Sequence, residues 1–395
     1  MSDRDLMPGA HSGEPLPHYV NEAPFDPNTV EQLTPQQERF YRASEWRIVW
    51  WRFRRHRVAV WAGAFLLFMY LAIVICEFLA PYELHNRHTQ YIYAPPQALH
   101  LFHEGEFIGP FVYGFDYKLN MENLQRQYVP NPEKVQPLRF FCRGDDYRFW
   151  GQVEGNLHLF CPAEGGTAFL FGTDRLGRDM LSRVIYGARI SLTLAFIATG
   201  ISFVLGIVIG GMAGYFGGFL DAITLRAIEI IRSFPEIPLF MTLSALLPVT
   251  WSPIGVFAGI SVIIGFLEWP GLARAVRAKF LSLREEDFTT SAQLMGASPA
   301  RIIGRHLLPS FTSHLIASLT VSIPAAILGE TALSFLGIGL RPPITSWGVV
   351  LYEIQNFNTV AVYPWLLLPI VPLFLLVLAF NFLGDGLRDA ADPYK

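Results

Sequence analysis

Five charged residues lie in apolar surroundings and are the first candidates for chemistry in this sequence: Arg226, Glu229, Arg232, Glu236 and Glu330. Arg226, Glu229 and Arg232 recur three apart, so on a helix Glu229 can pair with both arginines along one face. Charge at membrane depth is costly unless paired or hydrated. Two readings stay open for this cluster, a paired ladder at the bilayer edge and a gate on a hydrated pathway. Pro235 and Pro238 flank Glu236 and should break or kink its helix. Glu330 has no cation within one helical turn, so it must hydrogen-bond to another helix or face a hydrated path.

Other chemistries are missing their signatures. No GxxxxGK[ST] phosphate loop, HExxH or GxSxG occurs, which argues against ATP hydrolysis, zinc proteolysis or serine hydrolysis on this chain. Cys76, Cys142 and Cys161 form no CxxC or Cys/His pattern, so no metal site is expected. The net charge of -3, without a long basic run, excludes a nucleic-acid partner as the natural reading.

Of the 395 residues, 52% are hydrophobic and only 16% charged, a surplus suited to a membrane. Six stretches approach the roughly 20 helical residues that cross about 30 Å of hydrocarbon. They are Val58 to Leu79, Ile190 to Ala213, Phe219 to Leu247, Gly255 to Ala275, Thr312 to Leu336 and Tyr363 to Leu383. Before the first span, Trp46, Trp50 and Trp51 alternate with Arg47, Arg52, Arg54, Arg55 and Arg57, which places that end in the cytoplasm. Six spans return the C-terminus to the same side. The connection from Arg274 to Pro309 is then also inside, and it carries six more basic residues, Arg274, Arg277, Lys279, Arg284, Arg301 and Arg305.

The long connection from Ala80 to Ile190 falls outside, where its tyrosines and phenylalanines predict a folded insertion. Cys142 and Cys161 both lie in it, and an oxidising compartment would let them pair, a closure worth about 2 to 4 kcal/mol. Two separate packing cysteines are the alternative. Residues 1–45 are polar and proline-rich and read as a disordered cytoplasmic tail without a cleavable signal. The remaining boundaries are a basic segment with the first span at 46–80, the insertion at 81–171, a core with five spans at 172–387 and a cytoplasmic tail at 388–395. Gly206, Gly210 and Gly214 recur every fourth residue in the second span, a face for close packing within the chain or at a subunit seam.

Residues 285–309 are the most informative stretch. A helix should end at Gly296, with Ser298 as N-cap and Pro299 opening a second helix that Pro309 limits. Phe288, Ala292 and Met295 at i, i+4 and i+7 form a narrow apolar stripe with a small residue in its middle, suited to a partner's groove.

This stretch resembles the EAA loop of ABC importer permeases, whose pattern is Glu-Ala-Ala, three residues, Gly, nine residues, then Ile-x-Leu-Pro. Aligned on Gly296, the triplet falls on Thr290, Ser291 and Ala292 and the ending on His306, Leu307, Leu308 and Pro309. Thr290 stands where the family has an acid and His306 where it has isoleucine, while the spacing from glycine to Leu-Pro is intact. The run from Gly172 to Asp179 is similar to the GTDxxGRD segment of the oligopeptide, dipeptide and nickel subgroup, as is the ending from Asn381 to Pro393. The alternating Asp and Arg after Gly172 suit a charge-paired interfacial helix with Leu181, Val184 and Ile185 toward lipid or protein, bracing the core.

The resemblance implies an all-α integral membrane protein with a type I ABC importer permease core of six transmembrane helices and a long periplasmic insertion between the first and second. It implies a bacterial inner-membrane location with both termini cytoplasmic, and a role as half of a translocation pathway. The partners implied are a second homologous permease, two ATPase subunits that bind the ATP, a periplasmic solute-binding protein and membrane lipid. The chain would need no cofactor of its own and would not be an enzyme. Peptides are the implied cargo, with nickel, opine-like conjugates or alpha-galactoside oligosaccharides as alternatives, and an ATP-independent secondary transporter or channel is the rival class. ATPase coupling would fall on Phe288, Thr290, Ser291, Ala292, Met295, Gly296, Arg301, His306 and Pro309.

Overall fold

The computed structural model describes residues 43–121, 125–248 and 250–391. The expected N-terminal tail therefore lies outside the described residues except for positions 43–45, as do the last four residues of the expected C-terminal tail. Two compact units divide between Ile48 and Val49. The described part of the first, residues 43–48, opens helix α1 (Glu45–Arg55). In the second unit the helix continues with Trp50 stacked on Phe53 at 5.9 Å and arginines in its last turn.

The first span is α2 (Arg57–Val74). It stops at Ile75, and a separate turn, α3 (Cys76–Leu79), covers the rest of the predicted stretch. The insertion then folds as strands. β1 (His100–His103), β2 (Glu106–Leu119) and β3 (Arg126–Pro137) form an antiparallel sheet, and β4 (Arg139–Phe149) pairs with β5 (Val153–Cys161) as a hairpin. The all-α expectation thus describes the helical membrane core, to which the insertion adds a small β element. Its aromatic residues suit a pleated, half-buried surface, and pairs such as Tyr117 with Tyr128 and Phe140 with Phe160 sit opposite each other. Cys142 and Cys161 are joined, with Cα atoms 6.1 Å apart, clasping the two strands of the hairpin.

The second span, α4 (Met180–Phe216), starts ten residues before the predicted Ile190 because Asp179 caps it, accepting the Ser182 N–H at 2.7 Å. The predicted third span is two helices, α5 (Gly218–Ser233) and α6 (Glu236–Ala245). Pro235 drives Phe234 into extended backbone, so the helix breaks where the prolines required. Ser252 caps α7 (Pro253–Leu283), its hydroxyl accepting the Gly255 N–H at 3.2 Å. After the short helix pair α8 (Asp287–Leu294) and α9 (Pro299–Ile302) comes α10 (Thr312–Phe335), then the short α11 (Trp347–Leu351) and finally α12 (Ile370–Ala391). Among the described residues five helical segments are long and apolar enough to cross a membrane, those of α2, α4, α7, α10 and Pro364–Ala391.

Helix α12 continues past the predicted end at Leu383 and through Arg388, so the expected tail from 388 is helical up to Ala391. Glycines allow its approach to other spans: a Cβ on Gly384 would meet the Thr320 hydroxyl at 2.5 Å, and one on Gly386 would collide with Ala59. The same device joins α4 to α7, where Gly206 faces Leu272, Gly210 the Ala273 carbonyl and Gly214 the Arg277 carbonyl. The four-residue repeat therefore packs within the chain. One apolar core runs through α2, α4, α7, α10, α11 and α12, and a second gathers the C-terminal end of α7 with α8 and α9.

Candidate functional site

The α8–α9 pair is mounted on the end of α7. Thr289, fully buried, donates its hydroxyl to the Leu283 carbonyl at 2.8 Å, and Ala292 packs in the cluster of Val276, Phe280 and Ile302. Gly296, at φ +78°, ends α8 with two reversing bonds, Gly296 N–H to Gln293 and Ala297 N–H to Ala292. Ser298 then caps α9, accepting the Arg301 N–H at 3.4 Å. The chain widens into a π-helical turn, Ile303–Leu307, just before Pro309, which has no N–H to continue an α-helical ladder.

This mounting corrects the predicted stripe. Ala292 is turned inward, so Phe288, Ala292 and Met295 do not share an exposed face. The apolar edge left open is Phe288, Leu294 and Met295, the last two 85% and 82% exposed. Thr290, Ser291, Gly296, Arg301 and Pro309 are each exposed, and His306 is half-buried. Sequence reasoning missed Leu294 because an outward i, i+4, i+7 face was assumed. A small residue between larger ones marks the side that approaches its support.

The charged residues of the third span separate. Arg226 donates to Glu229 at 2.8 Å, both largely exposed, and Arg232 does not join them, against the expected ladder. Arg232 instead lines a cavity of about 210 Å³ with Glu236 and Glu268. An adjoining recess of about 390 Å³ shares Arg232 and Glu268 and adds His314, Ser318 and Arg388. Glu268 was missed, although a lone acid in the predicted fourth span carries the signal that singled out Glu330. Nearby, Asp221 on α5 pairs with Arg277 on α7, Nη2 to Oδ2 at 2.6 Å, fixing these helices to each other.

Glu330 is enclosed. Its carboxylate accepts from Ser191 of α4 at 2.9 Å and from Ser334 one turn on at 2.7 Å. Ser191 in turn accepts the Trp347 N–H and Ser334 the Leu340 N–H, so one acid ties α4, α10 and the start of α11. Before α4, residues 172–179 form a turn rather than the expected interfacial helix. Asp174 accepts from the Leu176 and Arg178 backbone N–H groups, from Arg178 Nε at 2.6 Å and from Arg183 Nη1 at 2.6 Å. Glu353, after α11, joins the same arginines at 3.4 and 3.1 Å. Local bonds close the turn around Asp174 before a helix can begin. Its arginines reach across to the connection between α10 and α12.

Residues 206–394 match the family described as binding-protein-dependent transport system inner membrane component, and residues 44–96 match the N-terminal TM domain of oligopeptide transport permease C. Residues 97–205 lie outside both matches. The dipeptide transport system permease protein DppC of Bacillus subtilis is 40% identical over 228 residues, which span 56% of this chain and 68% of that protein. The oligopeptide transport system permease protein OppC of Haemophilus influenzae is 40% identical over 242 residues, spanning 61% and 75%. The solved inward-facing MetNI methionine ABC transporter aligns over 54% of this chain and 98% of its own at 21% identity, with a TM-score of 0.44.

Proposed function

Because this chain belongs to the binding-protein-dependent transport system inner membrane component family, we propose that it forms one transmembrane half of an ATP-driven peptide importer. The peptide cargo rests on the relatives' names, dipeptide and oligopeptide transport permeases. In this reading a second permease of the same type completes the pathway, two ATPase subunits bind and hydrolyse the ATP, and a soluble binding protein delivers the solute from outside. With α5 and α6 together making the return crossing between α4 and α7, both termini face the cytoplasm, in keeping with the basic helix α1 and the arginines around α8 and α9.

The observation that carries the reading is the open apolar edge of Phe288, Leu294 and Met295 on a helix pair packed against the end of α7. Large exposed apolar groups on a braced helix pair suit a partner's groove. Closure of the ATPases would push α8 and α9, and α7 would pass that motion to Glu268, Arg232 and Glu236, which we assign to the inner part of the pathway. The test is uptake of a labelled tripeptide by the assembled transporter in proteoliposomes. Accumulation should need ATP on the side of α8 and the binding protein on the other. Accumulation driven by an ion gradient without ATP would identify a secondary transporter instead.

A further inference from the structure

The tip of the β4–β5 hairpin is held at the outer end of the first two spans. Trp150, in its turn, donates its indole N–H to the Val74 carbonyl at 3.0 Å and its backbone N–H to Glu77 at 3.1 Å. Val74 is the last residue of the first span. Arg189, of the second, lies over the Trp150 ring at 5.1 Å while pairing with Glu77. Phe141 of β4 stands 6.2 Å from Phe78 of α3. Four bonds or ring contacts thus set the hairpin's height against two membrane helices.

The apolar surface left open there is large. At the tip Trp150 is 48% exposed and Val153 62%, nearer the base of the hairpin Phe141 is 68% exposed, and Leu71 and Val74 of the first span are exposed too. Phe141 and Trp150 also take left-handed backbone, φ +50° and +51°, which L residues adopt only where the surroundings hold them. A tryptophan with its N–H satisfied and its ring under a guanidinium has one wet and one apolar side, the chemistry of the boundary between headgroups and acyl chains. The family fixes a membrane around α2, and the hairpin's Trp150 is bonded to Val74, the last residue of that helix.

We propose that Phe141, Trp150 and Val153 seat in the headgroup region of the outer leaflet, so that the insertion rests on the bilayer as well as on the spans. The proposal rests on the membrane location of α2 and on the orientation proposed above, and is independent of the cargo. The test is Val153→Cys labelled with an environment-sensitive NBD dye, with the Cys142–Cys161 bond left intact and Cys76 buried. The assembled transporter is placed in nanodiscs of phosphatidylethanolamine and phosphatidylglycerol. Lipids carrying a doxyl group near the headgroup should remove most of the emission, and aqueous iodide little of it. Strong iodide quenching without doxyl quenching would put the tip in water and overturn the proposal. So would quenching by neither, since protein would then cover it.

Discussion

Arg183 stands between two buried acids, Asp174 and Glu353, and is itself almost fully buried. Removing one partner from a buried ionic group costs about 3 to 5 kcal/mol, because the charges left behind keep their desolvation penalty. Arg183→Met should accordingly lower the unfolding midpoint of the detergent-solubilised chain by several degrees, and an unchanged midpoint would show that the network carries no such load. Asp179 next to it makes a pH prediction. Burial pushes its carboxyl from 3.8 up to about 7. The folded state then holds a proton that the unfolded chain releases, so stability falls as pH rises from about 4 to about 7 and is level above. Asp179→Asn keeps an acceptor for Ser182 and should flatten that slope in midpoints recorded across the range. At this scale the sequence exposed the charged residues but not their surroundings: Glu229 and Arg232 fit a helical ladder by spacing, yet Arg232 lines a cavity with Glu236 and Glu268, and Glu268 comes from a helix far along the chain. Ser334, one turn from Glu330, was within reach by spacing, but Ser191 and Trp347 were invisible, since they meet this site only when α4, α10 and α11 pack.

Among the elements, the glycine face of α4 gives the sharpest contrast. A methyl on Gly210 would run into the Ala273 carbonyl, whereas one on Gly200 meets nothing within 4 Å. Gly210→Ala should destabilise by about 1 to 3 kcal/mol through overpacking, while Gly200→Ala on the same helix should be neutral or slightly stabilising; thermal midpoints of the pair settle it, and equal effects would contradict the α4–α7 crossing. Apolar length made the spans readable, and Pro235 made the break between α5 and α6 readable. The strands were not, because β2 and β4 alternate only over short stretches and carry exposed aromatics that mimic no single period. The Cys142–Cys161 bond was open for the same reason: whether two cysteines meet depends on the register of a hairpin the sequence did not announce. The start of α4 was misjudged because Asp179, an N-cap, was read as part of an interfacial helix running through it.

For the molecule as a whole, the account stands on the exposed edge of α8. Its framework of Gly296, Ser298, Pro299 and Pro309 was legible because each residue type has a specific backbone role. Its outward residues were only partly legible, because burial of Ala292 rotates the helix. The direct measurement is affinity purification of the chain from its native membrane, wild type against Leu294→Asp/Met295→Asp, changes at two solvent-facing positions that leave the core intact. Loss of anchors at the centre of an interface typically costs about 2 kcal/mol or more each. The account predicts that ATPase subunits and a second permease accompany the wild type, and that the variant keeps the second permease but loses the ATPases. A wild type that purifies alone, or a variant that retains its ATPases, would contradict it.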